Sequence, residues 1–173
     1  MIVQSARLTV IPCELAHAET ALSGMPALGR MLNAVVADGF PVAPEGLEYW
    51  QRKLAADPSL VGWYGWFYVY SQQRVLIGDG GFMGPPSADG RVELGYAVVP
   101  AYRGQGFATE AAHALVRWAF AHPEVSAVIA HTLPDGEASM RVLKKLGMSR
   151  GVEHDHGQSG QLVQWLLCRD SAP

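Results

Sequence analysis

The stretch Glu93-Leu94-Gly95-Tyr96-Ala97-Val98-Val99-Pro100-Ala101-Tyr102-Arg103-Gly104-Gln105-Gly106-Phe107-Ala108-Thr109-Glu110-Ala111 decides how this chain folds. Its first half belongs to a predicted strand, Arg91 to Val99, which Pro100 stops because proline has no N–H to offer a ladder. Its second half opens a predicted helix, Gly106 to Ala121, with Ala108, Ala111, Ala112, Leu115 and Ala119 on one apolar stripe. Between them, Gly104 and Gly106 permit backbone geometry that a side chain would block. A loop of this kind at a helix start aims several N–H groups at one point, which suits a phosphate, and Arg103 adds charge. On glycine spacing alone, a plain turn explains the loop equally well. The Gly-Lys-Ser/Thr of a P-loop is missing, and the spacing and acidic ribose partner of a dinucleotide fingerprint are missing too.

Outward from this stretch the chain alternates in period. Upstream, Arg7 to Pro12 reads as a strand. Helices are predicted over Glu14 to Leu22, Ala27 to Ala37 and Gly46 to Ala56, the last with Leu47, Trp50 and Leu54 at helical spacing. Tyr64 to Tyr70 and Val75 to Met83 read as a hairpin turned at Ser71-Gln72-Gln73, and the glycines of its second strand suggest a bulge or a close backbone approach. Downstream, Ser126 to Thr132 reads as a strand and Gly136 to Leu146 as a helix closed by Gly147. Met148 to Glu153 and Leu162 to Cys168 are further strands. A meander followed by strand-helix-strand-helix argues for one α/β domain with a mixed central sheet flanked by helices.

Bulk properties narrow the function. The 173 residues suit one domain with one core. The net charge is −3 with no basic block, which argues against nucleic acid as a partner. Cys13 and Cys168 lie far apart with neither metal-ligand nor disulfide-framework spacing, which fits a reduced, cytoplasmic setting. No apolar run is long enough to span a bilayer, and the N-terminus lacks a signal-peptide pattern. No metal site is expected. His154-Asp155-His156 sits in a polar loop without further ligands nearby and reads as a solvated turn, and His131 reads as a packing or rim residue. Nucleotide hydrolysis lacks its lysine and magnesium ligands.

Several segments together resemble one family. The quoted stretch is similar to motif A of the GNAT superfamily of N-acetyltransferases, whose Gln/Arg-x-x-Gly-x-Gly/Ala signature is met by Arg103, Gly106 and Ala108. Gly95-Tyr96 and Ala108-Thr109-Glu110-Ala111, the run Ala138 to Met148 and the opening Ala6 to Pro12 resemble the branch containing ribosomal-protein N-terminal acetyltransferases. The resemblance implies a single-domain fold over residues 1–173, whose sheet is splayed between its fourth and fifth strands to admit acetyl-coenzyme A. It implies that Ala97, Val98 and Val99 offer backbone groups to the pantetheine arm. It implies also that Arg103 and Gly104 open the pyrophosphate turn and that Gln105, Gly106, Phe107, Ala108, Thr109 and Glu110 lie along it.

By the same resemblance, Glu93 is the candidate general base and Ser139 the candidate thiol contact or general acid. Their competing readings are a strand glutamate that orients its neighbours and a first-turn serine bonded to its own helix. A backbone N–H of the Ala97 to Val99 strand would meet the oxyanion. Where the family commonly has Asn, this chain has Gly136, preceded by Asp135, which is expected to cap the helix instead. The implied reaction is acetyl transfer to a primary amine, either a small molecule or a peptide N-terminus, by direct attack in a ternary complex, with a homodimer as a common assembly. The competing function is a non-catalytic coenzyme A-binding sensor. Freeing an α-amine at pH 7 costs about 1.4 kcal/mol, and a lysine-type amine about 4.6 kcal/mol, so the demand on a base depends on the acceptor.

Overall fold

The computed structural model describes residues 1–155 and 160–171. In chain order the elements are β1 (Val3–Gln4), β2 (Leu8–Pro12), α1 (Leu15–Ser23), α2 (Met25–Leu32), β3 (Val35–Val36), α3 (Pro44–Ala56), β4 (Gly65–Tyr70), β5 (Val75–Phe82), β6 (Arg91–Val98), α4 (Phe107–Phe120), β7 (Ala127–Thr132), α5 (Glu137–Lys145), β8 (Ser149–Asp155) and β9 (Gln161–Cys168). They form a nine-stranded mixed sheet in the order β1-β2-β4-β5-β6-β7-β9-β8. The short strand β3 pairs in parallel with the start of β5.

The predicted helix Ala27 to Ala37 is shorter than expected. Asn33 takes the left-handed conformation, φ 50°, and its N–H bonds back to Arg30 O, which ends α2 at Leu32. The β-branched pair Val35-Val36 then joins the sheet. The irregularity anticipated in the second hairpin strand falls where Tyr68 pairs with Gly78 but Val69 with Leu76, so Ile77 is the extra residue. A Cβ on Gly80 would lie 2.2 Å from the Tyr68 hydroxyl oxygen, so that glycine answers a close approach.

Register assigns the two faces. Phe67, Asp79 and Ala97 are cross-strand partners and share a face with α3, whose Trp50 ring lies 6.2 Å from Phe67. Trp66, Gly80 and Tyr96 share the opposite face with α4, whose Trp118 ring lies 5.2 Å from Trp66. Trp66 and Trp165 are both fully buried, and each indole N–H finds an acceptor, Gly62 O at 2.8 Å and Thr132 Oγ1 at 3.1 Å.

The sheet opens at one seam. β6 and β7 pair in parallel only from Arg91 to Glu93 against Ala127 to Ile129. Beyond that point β6 continues on β5 alone and β7 on β9 alone. Counting strands of five residues or more, these are the fourth and fifth, where the splay was expected.

Candidate functional site

The turn between β6 and α4 is built to receive an anion. Gly104 and Gly106 adopt φ values of 73° and 85°, which favour glycine. The first bond of α4 runs from Glu110 N–H to Gly106 O, and the backbone N–H groups from Gly104 to Thr109 donate to no described residue. These donors and the helix dipole gather at one concave surface. A Cβ on Gly104 would meet nothing within 4 Å, so the cradle is open above it.

Two side chains fix that turn from behind. The Glu110 carboxylate accepts from Ser5 Oγ at 2.8 Å, Arg7 N–H at 2.6 Å and Arg7 Nε at 2.7 Å. Burial pushes the Glu110 carboxyl up, but the bonds from Arg7 and Ser5 outweigh it and hold it below its ordinary range. Arg7 in turn donates to Gln105 O at 3.1 Å and lies 4.2 Å over the Phe107 ring. Arg103 turns back to donate Nε to Val98 O at 2.8 Å, and the Gln105 amide donates to Ala101 O at 3.2 Å.

The cradle continues into a cavity of about 440 Å³ between β6, α4 and α5. Of the sequence candidates, Ala97, Val98, Arg103, Gly104, Gly106, Phe107, Ala108, Thr109 and Ser139 line it. Val99 N–H donates to Ile77 O and Met83 N–H to Glu93 O, so odd-numbered residues of β6 give their backbone groups to β5. Alternation turns the backbone of Tyr96 and Val98 toward the gap, while Ala97 and Val99 face β5. Ser139 lies in the first turn of α5, beside the Tyr96 hydroxyl. The helix cap is Gly136 itself, with no side-chain cap bond. Asp135 contributes only its carbonyl, to Glu137 N–H at 2.8 Å. The expected Asp135 side-chain cap is therefore corrected: the helix starts one residue later than that role requires.

At the mouth of the seam, His131 Nδ1 lies 2.8 Å from Glu93 Oε1. Gln164 Nε2 lies 3.3 Å from His131 Nε2. With the Gln164 amide donating, the ring proton sits on Nδ1 and points at Glu93. Both side chains are only partly exposed, His131 at 12% and Glu93 at 37%. His131, expected as a packing or rim residue, is largely buried and also holds the carboxylate in position. Strand alternation places Glu93, Gly95 and Ala97 on the α3 face of β6.

Two groups escaped the sequence reading. Tyr96 reaches from β6 across the gap and donates its hydroxyl to Ser139 O at 3.1 Å, and burial pushes its phenol up. Asp79, paired in register with Ala97, is 4% exposed. Burial, then the nearby Glu45 charge, push its carboxyl up to about 7. Asp79, Tyr96 and Ala97 line a second cavity of about 630 Å³, walled by Tyr49 and Trp50 of α3. Tyr96 and Ala97 border both cavities, so the two adjoin across β6. The signal for Tyr96 was present in the Gly-Tyr pair of the motif; nothing in the sequence marked Asp79. His156, the end of the His-Asp-His run, lies outside the described residues. Among the described residues, no group of three or more His, Cys, Asp or Glu could hold a metal ion. No helix among them is long and apolar enough to cross a membrane.

A family model described as an acetyltransferase (GNAT) domain matches residues 7–149. The uncharacterized N-acetyltransferase YjdG of Bacillus subtilis (strain 168) is 30% identical over 115 residues, 65% of this chain and 68% of that protein. Ribosomal-protein-S5-alanine acetyltransferase from Vibrio fischeri superposes with a TM-score of 0.70 at 16% identity, covering 100% of this chain and 99% of that one. A ribosomal α-N-protein acetyltransferase, RimL, in complex with coenzyme A superposes with a TM-score of 0.70 at 14% identity, covering 99% of each chain. At those identities the two superpositions speak to the fold alone.

Proposed function

This chain belongs to the GNAT acetyltransferase family, and we propose that it is a single cytoplasmic domain, spanning residues 1–173, that transfers the acetyl group of acetyl-coenzyme A to a primary amine by direct attack in a ternary complex. The observation that carries the reading is the junction of the open β6–β7 seam with the unbonded N–H groups of Gly104 to Thr109. A relative of the same fold in complex with coenzyme A adds support. The acceptor is a small-molecule amine or a peptide N-terminus; neither a metal nor a nucleic acid takes part. A homodimer fits the family and does not enter the mechanism.

The residues present fit that donor. The cradle of N–H groups would hold its pyrophosphate, with Arg103 at the opening and Arg7 and Glu110 keeping the turn in shape. Val98, flanked by Ala97 and Val99, would offer the pantetheine arm its backbone. When bound, acetyl-coenzyme A supplies an acetyl group activated as a thioester. Glu93 accepts the proton that the acceptor ammonium must lose, directly or through water, and His131 holds the carboxylate toward the seam. The Val98 N–H, turned into the gap, is the donor best placed for negative charge on the carbonyl oxygen. Ser139 offers its hydroxyl to the departing thiolate.

A thiol-release assay over a panel of α-amino, aliphatic and aromatic amines tests the reading. Amine-dependent release with stoichiometric acetylation is expected. Tight binding of acetyl-coenzyme A with no turnover on any acceptor would leave the chain a non-catalytic coenzyme A sensor, a reading that Gly136 in place of the family's Asn favours.

A further inference from the structure

Asp79 is a buried carboxylate without a partner. It is 4% exposed, no described residue donates a hydrogen bond to it, and no cation of the described chain pairs with it. Burying an unpaired carboxylate is unfavourable, so such a group is normally matched by a cation or kept protonated. The groups around it do not supply the match. Glu45 and Glu48 of α3 line the same cavity, and Cys13, the Tyr68 hydroxyl and Tyr96 bring no positive charge. Arg52 is at the cavity too, but its guanidinium lies 5.6 Å over the Tyr49 ring.

The surroundings describe what is missing. The cavity of about 630 Å³ has the size of a small-molecule site. Tyr49 and Trp50 give it aromatic walls that suit an apolar body carrying a positive charge. Asp79 sits directly opposite Ala97 in the β5–β6 ladder, and Ala97 also lines the neighbouring cavity. A cation held at Asp79 therefore lies on the acceptor side of β6, beside the strand that would carry the donor.

We propose that Asp79 is the specificity-determining anchor of the acceptor site, which takes a primary ammonium on a small apolar or aromatic body. The proposal rests on the transferase reading only for what the neighbouring cavity holds. Glu93 lies four residues from Ala97 along β6, roughly 13 Å away. The ammonium held at Asp79 is therefore not the nitrogen that Glu93 serves: the acceptor carries a second amine, and that one reaches the reacting end of the seam.

The test titrates 2-phenylethylamine and its uncharged counterpart 2-phenylethanol into the full chain saturated with coenzyme A, by calorimetry and tryptophan fluorescence. The native chain should bind the amine at least tenfold more tightly than the alcohol. Asp79→Asn should bring the two within about threefold while leaving coenzyme A affinity unchanged. Should Asp79→Asn fail to fold, Glu45→Gln at the exposed rim should cut the amine preference two- to threefold. No preference in the native chain, no binding of either compound, an unchanged preference in Asp79→Asn, or, where that variant does not fold, an unchanged preference in Glu45→Gln overturns the proposal. Amine bound through Asp79 with no acetyl transfer to any monoamine or diamine would instead sink the transferase reading and leave the ammonium site standing. Acetyl transfer with an amine KM indifferent to Asp79→Asn would do the reverse.

Discussion

Glu93 and His131 face each other at 2.8 Å where β6 and β7 stop pairing. The last paired residue of β6 is Glu93 itself, so the carboxylate stands at the edge of the opening rather than inside the sheet. The ring that holds it comes from the strand across the seam, and Gln164 of β9 bonds that ring from behind. A carboxylate placed this way is aimed by three strands at once.

Glu93→Gln keeps the shape and removes the proton acceptor. Turnover should fall by about 10²–10⁴ with the KM for acetyl-coenzyme A little changed. A loss under threefold, with an unaltered pH profile, retires Glu93 as the base. His131→Ala should cost a smaller factor, about tenfold in kcat, because it frees the carboxylate without removing it.

Glu110 and Arg7 act on the donor side. Glu110→Ala strands the Ser5 and Arg7 donors and loosens the turn that Arg7 braces. Stability should fall by about 1–3 kcal/mol, and coenzyme A should bind about tenfold more weakly. Melting curves and calorimetric titration read the two effects separately.

Tyr96→Phe removes one hydroxyl that ties β6 to α5 through Ser139 O. The acceptor left behind is a helix carbonyl, so about 1 kcal/mol of stability should go. A rise in the KM for acetyl-coenzyme A, measured at saturating amine, should accompany it. An unchanged KM would mean that the tie does not position Ser139.

Asp79 sets a pH dependence of stability. Its folded carboxyl titrates near 7, above its ordinary 3.8, so the folded chain holds a proton that the unfolded chain releases. That contribution is complete below about pH 4 and is lost as pH rises through 7, a swing on the order of 4 kcal/mol. Asp79→Asn should out-melt the native chain by a clearly larger margin at pH 8 than at pH 5. Equal melting shifts at both pH values would contradict the assignment.

The order of strands and helices around Arg103 was legible because periodicity and proline or glycine punctuation are local signals. The end of α2 was not, since it depends on Asn33 turning left-handed and on Val35-Val36 finding the free edge of β5. The glycine turn could be read in the sequence; its brace could not, because Arg7 and Glu110 lie 103 residues apart. Glu93 and Ser139 stood out as candidates through the family's pattern, whereas His131 read as a packing or rim residue and only the sheet brings it against Glu93. Asp79 carried no signal in the sequence. Only the burial supplied by α3 and β6 makes its charge matter.

A crystal structure of the chain with coenzyme A tests the central claim most directly. The pyrophosphate is expected on the N–H groups of Gly104 to Thr109, with the thiol in the gap between Val98 and Ser139 and opening toward Tyr96 and Ala97. Coenzyme A bound away from that turn, or a thiol emerging on a surface that neither Glu93 nor the Asp79 cavity can reach, would contradict it.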